Sequence, residues 1–187
     1  MLAVLRLGHR PLRDKRITTH VCLVARAFGA DRVILAGRDD ALVRNVRGVV
    51  ERFGGDFDVV PDLRPWQRIL EAWPGEVAHL TMYGAPYEDA LPAMKASKDL
   101  LLVVGAEKVP GDLYARATWN LAVGNEPHSE VAALAVVLHA LRPEALRMPR
   151  PGGEMRILPA ARGKRVEPGA AEGARAGRGA GARGQGR

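Results

Sequence analysis

Short apolar runs alternate with helical segments along the first 141 residues, and this order constrains the fold more than any single motif. The runs are LAVLRL, DRVILAG, DFDVV, EVAHLTMYG, LLLVVG and WNLAVG. LLLVVG is apolar throughout, the pattern of a strand covered on both faces of a parallel sheet. Between the runs lie ITTHVCLVARAFGA, with Thr18 or Thr19 as candidate cap and Gly29 as the stop, and DDALVRNVRGVVERFGG. The second carries Leu42, Val43, Val46, Val49 and Val50 at helical spacing. RPWQRILEAW, a weaker YEDALPAMKA interrupted by Pro92, and a short VPGDLYARA follow. EVAALAVVLHAL is apolar nearly all round, which predicts a buried helix. Strand-helix repetition of this kind predicts an α/β fold: a mostly parallel sheet with helices on both faces.

After Leu141 the pattern changes to RPEALRMPRPGG and then MRILPA, which reads as one more strand, half of a hairpin turning at Gly152-Gly153. From residue 163 onward Gly, Ala and Arg dominate, too little apolar surface to offset ordering entropy, so residues 163–187 are expected to be disordered. Charge follows the same division. Residues 1–141 hold 17 Lys+Arg and 17 Asp+Glu; residues 142–162 hold 5 and 2, and residues 163–187 hold 6 and 2. The whole +7 excess therefore lies behind the α/β body, which points to a polyanionic partner. One domain of residues 1–162 with a basic extension over 142–162 is expected. The lone Cys22 excludes an intramolecular disulfide and agrees with a cytoplasmic site. No apolar run is long enough to span a bilayer, and MLAVLRLGHR is charged too early for a signal peptide.

Three of the runs end in glycine: LTMYG at Gly84, LLLVVG at Gly105 and WNLAVG at Gly124. Ligands of parallel α/β sheets bind outside the carboxyl ends of strands, so these glycines are expected to line one pocket. The loop after Gly124 runs Asn125-Glu126-Pro127-His128-Ser129, with Ser129 placed to cap the next helix. There is no phosphate-loop motif. The histidines, His9, His20, His79, His128 and His139, show no metal-site spacing, and no metal is predicted.

VVGAEKVP and LAVGNEPHSEVAALAVVL resemble the last two motifs of the SPOUT methyltransferases. With GHRP-L-RDKR-I-TTH and HLTMYG they are similar to one family in particular, the archaeal tRNA cytidine 2′-O-methyltransferases acting on position fifty-six of the T-loop. The resemblance implies a trefoil knot over about residues 100–141, S-adenosylmethionine as cofactor, tRNA as partner, and a homodimer formed through knot-region helices. It places cofactor contacts at Leu80, at Gly105, Ala106, Glu107, Lys108 and Val109, and at Val123, Gly124, Asn125, Glu126, Pro127, His128, Ser129 and Glu130.

Related ribose-methylating families use an arginine six residues before the motif's glycine, and here that position is Leu23. Arg16, Arg26 and His20 are the candidates for activating the hydroxyl. Arg16 is favoured for its basic surroundings, whereas His20 reads equally well as a structural histidine. RNA is expected to meet the basic stretch of residues 6–16, His9 and Arg10 included, and residues 142–165. A SPOUT base methyltransferase and a non-catalytic tRNA-binding protein are the alternative readings.

Overall fold

Alternate side chains of β1 (Leu2–Arg6) enter opposite sides of a sheet: Leu2 and Val4 join one apolar cluster, Ala3 and Leu5 the other. Every residue of β1 is buried, and so is every residue of β5 (Leu100–Val104). Both strands read as unbroken apolar runs because neither has a solvent side. The other strands of this sheet are β2 (Arg32–Ala36), β3 (Asp58–Asp62), β4 (Glu76–Pro86) and β6 (Trp119–Ala122). The computed structural model describes residues 1–105 and 109–169, and within these the six strands lie parallel in the order β3-β2-β1-β5-β4-β6.

Helices α1 (Lys15–Ala27), α2 (Asp40–Phe53), α4 (Tyr87–Ala96) and α6 (Glu130–Leu141) fill the cluster on one face. Helices α3 (Trp66–Glu71) and α5 (Leu113–Arg116) cover the other. The expected α/β architecture with helices on both faces is the one observed.

Several local expectations change. α1 starts at Lys15, and Thr18 lies inside it rather than at a cap, because its hydroxyl bonds the ring of His9. α4 continues through Pro92, since Ala90 and Met94 on either side of it are anchored in the core, and packing overrides a single lost N–H bond. β4 does not end at Gly84 but continues to Pro86, and its pairing with β6 shifts register between Leu80 and Ala85. α6 buries Ala133, Leu134, Val137 and Leu138, while Ala132 and Val136 face outward. It is one-sided in burial though not in composition.

The hairpin of β7 (Met155–Leu158) and β8 (Arg165–Pro168) turns over residues 159–164, not at Gly152-Gly153. Gly153 instead lies against the end of α2, where a side chain would collide with the Gly54 amide. β8 forms inside the stretch expected to be disordered, because backbone pairing with β7 supplies bonds that composition does not show. The remainder of that stretch, residues 170–187, lies outside the described residues.

Candidate functional site

The register shift in β4 opens the sheet at its carboxyl edge. Residues 81–84 leave the ladder with β6, and a cleft of about 620 Å³ lies there, walled by Thr81, Met82 and Tyr83. Bulges of this kind re-aim side chains next to active sites. Gly84 lets the strands close again, since a Cβ there would strike the backbone of Asn120 and Leu121. Of the residues expected to contact a cofactor, Leu80, Gly105, Val109, Val123, His128 and Glu130 line the cleft. Gly124, Glu126 and Pro127 do not line it. Asn125 builds the wall from behind, donating from Nδ2 to the carbonyls of Met82 at 2.8 Å and Gly84 at 3.1 Å. Ser129 caps α6, accepting from the Val131 amide at 3.2 Å. Ala106, Glu107 and Lys108 lie outside the described residues.

Two other lining residues were not among the expected cofactor contacts, though His79 opens the HLTMYG motif. His79 and Tyr114 sit on the cleft's inner side with rings edge to face, 4.9 Å between centroids. His79 Nδ1 is 2.9 Å from Asn120 Oδ1, and Asn120 Nδ2 donates to the Tyr114 carbonyl at 2.9 Å. The Asn120 oxygen therefore faces the imidazole, so Nδ1 carries the proton and Nε2 is left as an acceptor. That Nε2 is buried without a partner among the described residues. Burial pulls the imidazole below its ordinary pKa, against the opposing pull of the Asn120 bond, and favours the neutral ring.

Arg6 is the residue the sequence reading misassigns. Counted there with a basic loop, it ends β1 with its side chain 1% exposed. Nη1 donates to the Gly105 carbonyl at 2.5 Å and stands 3.3 Å from Glu130 Oε1. Nε reaches toward Thr18 Oγ1 at 3.4 Å. Thr18 Oγ1 bonds His9 Nδ1 at 2.9 Å, and His9 Nε2 is 3.1 Å from Asp39 Oδ2. Burial pushes the Asp39 carboxyl up, but the Leu42 amide and His9 outweigh it and hold the carboxyl below its usual range. One buried chain of bonds thus ties α2, the Gly8-His9 turn, α1 and β1 to two cleft residues. His9 is corrected here from RNA contact to buried link, with a side chain only 1% exposed.

The three candidate activating residues separate. Arg16 and His20 are exposed on the first turns of α1, near the carboxyl edge, and neither lines the cleft. Arg26 lies ten residues after Arg16, about 15 Å further along the helix axis. It is 8% exposed and donates to the Gly54 carbonyl at the end of α2. A side chain bonded there does not reach the cleft, so Arg26 is structural.

This is the fold of the SpoU-type RNA methyltransferases. A solved RNA 2′-O ribose methyltransferase superposes with TM-score 0.55 at 18% identity, over 78% of this chain and 55% of that one. The SpoU methyltransferase AviRb of Streptomyces viridochromogenes, in complex with AdoMet, gives 0.53 at 18%, over 79% and 57%. Residues 53–167 match the family tRNA ribose 2′-O-methyltransferase, aTrm56. The tRNA (cytidine(56)-2′-O)-methyltransferase of Thermococcus kodakarensis is 54% identical over 175 residues, 89% of this chain and 96% of that protein. That of Methanothrix thermoacetophila is 51% identical, over 88% and 96%. The chain belongs to the aTrm56 family.

Proposed function

We propose that this protein transfers a methyl group from S-adenosylmethionine to the ribose 2′-hydroxyl of cytidine 56 in the tRNA T-loop. The observation that carries this reading is near-complete alignment, at about half identity, with enzymes named for that reaction. The residues of the cleft fit the cofactor. Its volume falls within the usual range for small-molecule sites of roughly 300–1,000 Å³. Leu80, Leu121, Val123 and Ala133 offer apolar contact to an adenine. The Glu130 carboxylate offers a counter-charge to a sulfonium, and the orphaned His79 Nε2 accepts a bond from an N–H or O–H of the ligand. When bound, S-adenosylmethionine supplies an electrophilic methyl whose sulfur departs as a neutral thioether.

The protein's part is alignment and exclusion of water. Arg6 holds both Glu130 and the Gly105 carbonyl, so the two sides of the cleft stay in fixed relation. Of the activating candidates, Arg16 and His20 remain on the correct end of α1, and Arg16 is assigned to the RNA phosphate and the reacting ribose. The remaining loop contacts, Gly124, Glu126 and Pro127 among them, are assigned to the cofactor as the family resemblance implies, together with Ala106, Glu107 and Lys108.

Knotting over residues 100–141 is part of the same proposal. So is a homodimer through α6, supported by the outward Ala132 and Val136 on a helix with almost no polar face. No helix among the described residues is long and apolar enough to cross a membrane. A cytoplasmic location follows from the proposed substrate.

The test is methylation of an unmodified tRNA transcript with methyl-labelled S-adenosylmethionine, followed by alkaline digestion. Label in an alkali-resistant dinucleotide at position 56 is the expected result. Label on a base, or none despite cofactor binding, overturns it. Sedimentation at equilibrium tests the dimer, with a monomeric mass as the refuting outcome.

A further inference from the structure

A second cleft, of about 340 Å³, opens on the same edge of the sheet beside the first. Val109 lines the first and Pro110 the second, so one peptide link separates their walls. The floor is backbone: the Gly37 amide donates to the Asp62 carbonyl at 3.0 Å where β2 and β3 end, and nothing lies within 4 Å of a side chain built on Gly37. Three flat or apolar groups surround that open floor.

Leu63 is 72% exposed. The Arg64 guanidinium is fixed by Asp62, with Nε 3.0 Å from Oδ1 and Nη2 2.6 Å from Oδ2, while Nη1 has no partner among the described residues. The Trp66 ring, half-buried, has Arg116 at 5.9 Å from its centroid. An exposed leucine gains by covering, a pre-ordered guanidinium stacks without losing rotamer freedom, and an indole stacks on any π-face. One flat, polar-edged ligand satisfies all three, and that is the chemistry of a nucleobase. The spare Nη1 adds a donor for a phosphate or a base edge.

We propose that this cleft receives the base of an unpaired tRNA nucleotide adjacent to the one whose ribose is methylated. This rests on the function proposed above, and deepens it: neighbouring clefts take neighbouring nucleotides, so the site reads strand position as well as presenting a ribose. Trp66 and Leu63 supply contact area, and Arg64 supplies direction.

The test compares wild-type enzyme with Trp66→Ala, Trp66→Phe and Leu63→Ser on T-loop transcripts, including transcripts with an abasic residue on either side of the target. For Trp66→Ala the KM for RNA should rise about tenfold, the scale of one lost base-aromatic stack. The KM for S-adenosylmethionine should stay within twofold, and Trp66→Phe should restore RNA binding. Leu63→Ser, at a surface position, should raise the RNA KM several-fold without loss of folding. One of the abasic transcripts should cost the wild type as much as Trp66→Ala does, and cost Trp66→Ala nothing more. Wild-type RNA KM in both Trp66→Ala and Leu63→Ser, or additive losses with both abasic transcripts, overturns the proposal while leaving the methylation reading intact. A wild-type enzyme that methylates no tRNA overturns both.

Discussion

The two ends of the sheet use arginine in opposite ways. At the amino end Arg26 donates to the Gly54 carbonyl, Arg142 to the Gly29 carbonyl and Asp31, and Arg150 to the Ala27 carbonyl at 2.8 Å. Each closes a helix terminus whose last carbonyls lack intrahelical partners. At the carboxyl end Arg6, itself buried, joins two residues that line the first cleft, the Gly105 carbonyl and Glu130, and Arg64 at the second keeps one nitrogen without a partner among the described residues. One end ties helix termini to the chain behind them; the other holds the clefts, and buried atoms with no partner among the described residues occur at both, Arg26 Nε at the first and His79 Nε2 at the second. What distinguishes the carboxyl end is its pair of adjacent clefts. The difference also splits the basic charge expected to meet RNA. Residues 10–16 lie at the cleft end of α1, whereas the segment that enters the β7-β8 hairpin packs on the far end of α2.

The sharpest break in this comparison is Arg6→Ala. It removes the bond to the Gly105 carbonyl and the partner of Glu130, itself a third exposed, at a cost of about 1–3 kcal/mol. Urea unfolding should show that loss, and calorimetry should show loss of S-adenosylmethionine binding; intact binding would remove Arg6 from the site. Arg6→Lys, which keeps charge without the fork, should recover stability only in part.

Arg16→Ala should lower kcat by roughly a hundredfold while the melting temperature stays put, the scale of losing one group that assists proton removal. An unchanged kcat would pass that role to His20 or another group. Arg26→Ala, at the closed end, should do the reverse: about 1–3 kcal/mol of stability lost with the Gly54 bond, and kcat of the folded fraction unchanged. A selective loss of turnover would reinstate it as catalytic.

A smaller effect is expected from pH. With its pKa below 6.5 in the folded state, His79 binds a proton more readily when unfolded. Stability should therefore fall as pH drops from 6.5 toward the folded pKa, and the His79→Gln variant should lose that part of the slope. Denaturation midpoints between pH 5 and pH 7.5 measure it, and equal slopes would place the imidazole in contact with water. Deleting residues 170–187 should have the least effect, weakening tRNA binding by a few-fold through lost cationic charge, with turnover intact in a filter-binding and rate comparison.

Much of this was legible before any coordinates. The unbroken apolar runs of β1 and β5 announce strands covered on both faces, and the strand ends at Gly105 and Val123 fall on the cleft at the carboxyl edge. Two kinds of feature were not legible. The bulge after Leu80 leaves no mark in LTMYG, because a register shift depends on which strand lies alongside. Arg6 and Arg26 look like surface cations, because sequence gives a side chain's charge and never its partners.

The sequence by itself therefore determined the α/β alternation and the family, which rest on local pattern and on contiguous motifs. Only the tertiary structure decided that Arg6 is buried against two residues lining the cleft while Arg26 bonds at the opposite end. It also decided that His79 Nε2 is buried with no partner among the described residues. Burial and hydrogen-bond partners are properties of neighbours far apart in the chain, and they exist only once the sheet has brought those neighbours together.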